Sequence, residues 1–306
     1  MQIQTAFLSD LTTRLTPISD TPALDASVLI AHIVGKPRTW VMAHLDLTLT
    51  TEQQDQLDVS LKRLERGEPL PYVIGKWEFF GLEFDLTSDV LIPRPETELL
   101  VEKAIAWLQA NPQRRTLADV GTGSGAIAVS LAVNNPHVNI LATDISPGAL
   151  QVAKRNAQKH GVSDRVEFVQ CDLFPEDPPI VHRPSSIINH QSQIVNRKSS
   201  IVNRQSSIDL ICANLPYIPT SKLRSLPVFG REPTLALDGG EDGFDVIRRL
   251  LGITPQWLGR NGMILLEIEA TRGAQAFNLA HNRFPNAAIH LHRDLAGNDR
   301  LLEIAL

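Results

Sequence analysis

The chain has 306 residues, 43% of them hydrophobic, and a net charge of -5. That is ample for a large core, and the length alone suggests about two domains. The acidic balance argues against a partner whose nucleic-acid backbone must be tracked. Two cysteines in a chain this long argue against a disulfide framework and suit a reducing cytoplasm.

Residues 1 to about 70 read as a small helical module. Thr21-Pro22 resembles a helix start and Gly35 a stop. Thr51 to Gln54 fits a capping box, and Leu57, Leu61 and Leu64 follow on one face before Gly67 ends the run. Such a module can cover a hydrophobic edge or grip a protein substrate. No cationic start with an apolar core follows Met1, and no run approaches ~18 apolar residues, so neither a signal peptide nor a membrane span is expected. No HExxH or CxxC spacing occurs, and no metal is expected. Both cysteines, Cys171 and Cys212, are expected as small buried hydrophobes in strands.

Residues 72 to 86 are aromatic and β-rich, with Gly75 and Gly81 as punctuation, and predict a β-hairpin within a linker over 71–90. Leu91 to Glu98 then places two prolines around Arg94. Glu96 and Glu98 open a helix to about Ala110, where the helix dipole favours acids. Arg94 has no such reason to be there and could line a pocket or hold a hinge.

From Thr116 the pattern alternates strand and helix. The strand Thr116–Val120 runs into Gly121-Thr122-Gly123-Ser124-Gly125 and a helix from Ala126, which is a nucleotide-binding layout. Glycines there let a ligand approach the backbone, though the loop by itself cannot separate NAD from S-adenosylmethionine. The strand from Asn139 ends in Asp144, a carboxylate able to accept both hydroxyls of a ribose. Ser146-Pro147 supplies its own helix cap, which weakens a capping role for Asp144. The strand Val166–Gln170 ends near Asp172 and Leu173, suited to an amino group and the face of a base, or equally to a solvated turn.

Residues 178–207 break this alternation. A seven-residue pattern begins at Ser185, Ser192 and Ser199, and no acid occurs between Asp177 and Asp209. The paired apolar positions are adjacent, which excludes a coiled-coil seam. A low-complexity insertion is expected, with a basic arm for RNA as a lesser reading.

Ile208 to Ala213 is an apolar run, as in a parallel strand covered on both faces. Asn214-Leu215-Pro216-Tyr217 follows at the strand's carboxyl end, where open α/β sheets bind ligands. Asn214 offers an amide, and Pro216 restrains Leu215 and its carbonyl. Two acceptors beside the Tyr217 ring suit a planar group with an NH2, an amide or an amino-base. A glycine-rich acidic loop over 237–243, a helix over 244–258, a buried strand over 262–268, a helix over 272–283 and a closing strand pair complete an α/β fold with a seven-stranded sheet.

The combination LIPRPETE, DVGTGSGAIA, NLPYIP, EPTLALDGGEDGFDVIRRLL and DLAGNDR resembles the release-factor glutamine N5-methyltransferases (PrmC/HemK) over nearly all of the chain except the insertion. The resemblance implies a Rossmann-like class I methyltransferase domain over 91–306 and S-adenosylmethionine as cofactor. It implies the Gly-Gly-Gln glutamine of class-1 peptide chain release factors as substrate, gripped by residues 1–70. Asn214, Leu215, Pro216 and Tyr217 would then be catalytic and substrate-binding, with Arg94 beside them. Gly121 to Gly125, Asp144, Asp172, Leu173 and Asn214 would hold the cofactor. A cytoplasmic monomer without direct nucleic-acid contact is expected. Open alternatives are methylation of a ribosomal-protein glutamine or of a nucleic-acid adenine, and a docking module that binds cofactor without turnover. Three departures stand out: Leu215 where the family has proline, Glu269 where it often has glycine, and the insertion.

Overall fold

The computed structural model describes residues 5–44, 46, 48–176 and 208–306. The seven-residue pattern within 178–207 lies outside the described residues. Five helices come first: α1 (Thr5–Leu15), α2 (Pro22–Val34), α3 (Arg38–Ala43), α4 (Thr51–Glu65) and α5 (Leu70–Ile74). Leu11 and Leu15 of α1, Leu29 and Ile30 of α2 and Leu57, Leu61 and Leu64 of α4 bury one another in a core of their own. Pro22 opens α2 and a left-handed Gly35 closes it, as expected. The capping box of α4 sits one residue earlier than the sequence suggested. Thr50 Oγ1 accepts from Gln53 N at 3.2 Å, and Gln53 Oε1 accepts from Thr50 N at 2.9 Å. Thr50 is extended, so its hydroxyl can fold back onto the first turn, whereas Thr51 is already helical.

Strands β1 (Lys76–Phe79) and β2 (Leu82–Asp85) form the hairpin. It is shorter than the stretch 72–86, because Pro71 starts α5 and a left-handed Gly75 ends it, drawing Tyr72 and Val73 into a helical turn. Phe80 and Gly81 both have positive φ, the two-residue turn whose twist matches paired strands. A 3-10 turn at Pro95–Thr97 leads into α6 (Glu98–Ala110). Glu98 Oε1 accepts from Phe80 N at 2.9 Å, so this first-turn acid also holds the hairpin tip.

The main sheet is built from β3 (Thr116–Val120), β4 (Asn139–Asp144), β5 (Val166–Gln170), β6 (Ile208–Ala213), β7 (Leu258–Glu267), β8 (Ala288–Arg293) and β9 (Asp299–Ala305). Its order is β5-β4-β3-β6-β7-β9-β8. The first five strands run parallel and the β7-β9-β8 edge is antiparallel. Between the strands run α7 (Ala126–Asn134), α8 (Pro147–Lys159), the short α9 (Thr220–Leu223), α10 (Asp245–Ile253) and α11 (Gly273–Arg283). Alternate strand residues face opposite layers. Leu117, Leu210, Cys212 and Leu265 pack with α6, α7 and α8, while Ala118, Ile211, Ala213 and Ile264 pack with α10 and α11. The seven-stranded α/β architecture expected from the sequence is therefore present.

Two further expectations need correction. The helix over 244–258 ends at Ile253, because Pro255 has no N–H to continue it and a 3-10 turn over Thr254–Gln256 follows. Leu258 already belongs to β7. Of the cysteines, Cys212 is buried in β6, but Cys171 lies beyond the end of β5 and is half-buried, since the strand ends at Gln170. Among the described residues no helix is long and apolar enough to cross a membrane.

Candidate active site

The order of strands reverses between β3 and β6, and a cleft of about 240 Å³ opens there, beyond the carboxyl ends of β3, β4, β5 and β6. It is lined by Gly121 to Ser124, Asp144, Asp172, Leu173, Asn214 to Pro216, Arg94 and Thr97. Eleven of the thirteen residues singled out from sequence thus share one wall. Gly125 and Tyr217 are the two that do not line it.

The glycine loop is strapped to β4, with Gly121 N and Thr122 N donating to the Thr143 carbonyl at 2.9 and 2.8 Å. Thr122 turns its hydroxyl inward, donating to Asp119 Oδ2 at 2.6 Å, and Ala128 N donates to the same oxygen at 3.1 Å. Thr122 therefore holds the loop's shape with its side chain. Asp119 is fully buried and its Oδ1 has no hydrogen-bond partner among the described residues. Burial pushes that carboxyl up to about 7. Gly125 has φ +81° at the start of α7, and a Cβ there would lie 3.2 Å from Ala153 Cα, so it serves helix packing.

Asp144 closes the next side. Its Oδ2 accepts from Gly123 N and its Oδ1 from Ser146 N, both at 2.9 Å. Each oxygen keeps a further acceptor position, as two ribose hydroxyls would need. Burial raises this carboxyl's pKa, and the backbone donors oppose the rise. Ser146 Oγ caps α8 by accepting from Ala149 N at 3.2 Å, so α8 does not depend on Asp144 for its cap. Leu173 is left-handed at φ 66°, costly for a leucine, and is held there by Thr143 Oγ1 donating to its carbonyl at 2.6 Å. Asp172 pairs with Arg249 at the cleft mouth, both about half exposed.

The corner after β6 is built by contacts from three directions. Leu215 is buried, and its Cδ2 lies 3.1 Å from where a Cβ on Gly121 would sit. The leucine thus seals the corner against the glycine loop. From below, the acidic loop clamps the backbone: Ile218 N donates to Leu237 O at 3.1 Å and Gly239 N to Ile218 O at 2.8 Å. A Cβ on Gly239 would meet Pro216 O at 2.8 Å, and one on Gly243 would meet Tyr217 O at 2.4 Å. Gly239 and Gly243 are there because backbone rests on backbone. From the side, Asn214 Nδ2 donates to Thr97 Oγ1 at 3.1 Å. Thr97 donates in turn to Glu267 Oε2 at 2.6 Å, and Tyr217 donates its hydroxyl to Glu267 Oε1 at 3.2 Å.

Arg94 is fixed by an ion pair with Glu232, whose side chain is 4% exposed. Glu232 Oε2 also accepts from Ile92 N at 3.2 Å. Arg94 thus both lines the cleft and ties the proline loop to the segment after the corner, joining the two roles left open by its sequence. Sequence reasoning missed Glu232, Thr97 and Glu267. An acid inside Met263-Ile264-Leu265-Leu266-Glu267-Ile268, an otherwise apolar strand, was the available signal.

Known proteins resemble this chain over most of its length. Residues 6–75 match the family described as PrmC N-terminal domain, and residues 113–178 match a methyltransferase domain. The Release factor glutamine methyltransferase of Rhodopirellula baltica is 34% identical over 94% of this chain and 90% of its own length. That of Moorella thermoacetica is 37% identical over 91% of this chain and 89% of its own. Among solved structures, the hMettl16 catalytic domain in complex with a MAT2A 3'UTR hairpin aligns with a TM-score of 0.50 at 14% identity. The alignment covers 84% of this chain and 83% of that one, a likeness of fold.

Proposed function

The chain belongs to the release factor glutamine methyltransferase family, and from that premise we propose that it methylates the side-chain amide nitrogen (N5) of the glutamine in the Gly-Gly-Gln motif of class-1 peptide chain release factors. The methyl donor is S-adenosylmethionine, and the enzyme acts as a cytoplasmic monomer. Residues 1–70 recognise the protein substrate, 71–90 link, and 91–306 carry the chemistry. One observation supports this reading above the others. Asn214 already gives its NH2 to Thr97, its Oδ1 has no hydrogen-bond partner among the described residues, and Asn214 and Leu215 both line the cleft.

The donor fits the residues present. Gly123 leaves open space beside the loop, Asp144 has acceptor positions left for a ribose, and Leu173 offers a buried apolar surface. When bound, S-adenosylmethionine supplies an electrophilic methyl group. The protein's task is to make an amide nitrogen attack, although its lone pair is delocalised into the carbonyl. Asn214 Oδ1 and the Leu215 carbonyl accept the two N–H groups and fix the nitrogen's orientation, with reacting atoms about 3–3.5 Å apart. As positive charge develops on nitrogen, these same oxygens stabilise it without having to reorganise. As the methyl leaves sulfur for nitrogen, the nitrogen becomes acidic and gives up a proton to water without a strong base. Tyr217 braces the corner from behind through Glu267.

The test is transfer of labelled methyl from S-adenosylmethionine to a purified release factor, beside a variant carrying alanine at the Gly-Gly-Gln glutamine. Label on the first and none on the second is expected. Equal labelling of both, or label only on a ribosomal protein or DNA, would reject the reading.

A further inference from the structure

The two ends of an asparagine amide are nearly the same size, so hydrogen-bond partners decide which end faces a ligand. At Asn214 that decision is traceable to a residue outside the corner. Glu267, at the end of β7, is 2% exposed, and both its oxygens accept hydroxyl protons, from Thr97 and from Tyr217. Thr97, itself 4% exposed, has a single proton. Once that proton is committed to Glu267, Thr97 shows Asn214 only a lone pair. Only the NH2 end of Asn214 can answer it, and Oδ1 is left for the cleft.

We propose that Glu267, acting through Thr97, sets the sense of the Asn214 amide and so makes the site choose a carboxamide over the isosteric carboxylate. The inference rests on the glutamine-methylating reading above and adds a positioning residue and the source of its selectivity. With the relay intact, the cleft presents oxygens from Asn214 and Leu215, and a substrate carboxylate meets acceptors only. With the relay broken, Asn214 can turn over and present its NH2, which repels the glutamine N–H and welcomes a carboxylate. The groups around Glu267 are Thr97, Tyr217, Arg300 and Glu96. Burial raises the pKa of Glu267 and Glu96 adds to the rise, while Thr97, Arg300 and Tyr217 oppose it.

The test uses the full chain with Thr97→Ser, Thr97→Val and Glu267→Gln. Three quantities are read: turnover at saturating S-adenosylmethionine, cofactor affinity by calorimetry, and inhibition by a release factor with glutamate in place of the Gly-Gly-Gln glutamine. Thr97→Ser keeps the hydroxyl and should stay within about 3-fold of the parent, less than the loss of one transition-state hydrogen bond. Thr97→Val should lose roughly 10²-fold in turnover with cofactor affinity unchanged. Its preference for the glutamate over the glutamine factor should rise by about 10-fold or more, since the site's polarity towards the ligand has changed. Glu267→Gln can donate to Thr97 and should loosen the same discrimination. The inference is overturned if Thr97→Val or Glu267→Gln keeps the parent's discrimination. It is also overturned if both release factors and the cofactor weaken together, the mark of a merely structural role. An unmodified chain that does not methylate a release factor sinks the functional reading instead, so the two failures are distinct.

Discussion

Gly243→Ala is the most direct probe of how the acidic loop supports the corner. Gly243 has φ +78°, a conformation that costs a residue with a Cβ roughly 1–2 kcal/mol. The new Cβ would also lie 2.4 Å from Tyr217 O, about 1 Å inside ordinary contact. Neither atom sits at the end of a flexible side chain, so backbone must move, and the backbone in question carries Pro216 and Tyr217. A loss of about 2–3 kcal/mol should lower the melting temperature by about 5–10 °C for a domain of this size. A displacement near 1 Å at the corner should cost ~10²-fold in turnover, because reacting groups must be held close to their attack geometry. Cofactor affinity should fall less than turnover, since Asp144 and most of the glycine loop lie away from the displaced backbone. Gly252→Ala is the control: a Cβ there meets nothing within 4 Å, and the residue is exposed in α10, so stability should hold or rise slightly. Thermal denaturation and single-turnover methylation read both variants. A Gly243→Ala protein with parental melting and parental turnover would refute the reasoning.

Asn214→Ala should lose roughly 10²–10³-fold in turnover, as for one transition-state hydrogen bond, while calorimetry still detects cofactor. Near-normal methylation of a release factor would remove Asn214 from the mechanism. Asp144→Ala removes the partner of Gly123 N and Ser146 N, and should weaken S-adenosylmethionine binding by about 10-fold or more, since hydrogen bonds to a charged group are worth ~1.5–3 kcal/mol. Unchanged affinity in a titration would argue against Asp144 as a ribose acceptor. Asp119 predicts a pH dependence of stability. Its folded pKa, about 7, lies above its unfolded value, so the folded state binds the extra proton between the two. Its contribution is fully present below about pH 4 and is lost as pH rises towards 7. Urea denaturation of the parent and of Asp119→Asn across that range should show the parent losing stability relative to the variant as pH rises. Parallel curves would count against a buried, proton-holding Asp119.

Strand and helix periods, the glycine loop, and a polar turn at the end of an apolar strand were legible because each is a local pattern. Propensity, capping and the backbone freedom of glycine act over a few residues. The chain alone therefore carried the seven-stranded α/β class, and the glycine loop and Asn214 corner that line the cleft. Even local chemistry misled where a neighbouring residue competed, as when Thr50 took the cap from Thr51 and Pro255 cut short the helix before β7. What tertiary structure decided is what lies far apart in sequence. Thr97 and Glu267 are 170 residues apart, and their hydrogen bond exists only because the sheet order sets β7 beside β6, under the turn that opens α6. Glu232 likewise meets Arg94 across 138 residues. Nothing local in either acid says which partner will satisfy it. A buried charge must find one, and the fold, by closing off water, determines which is in reach.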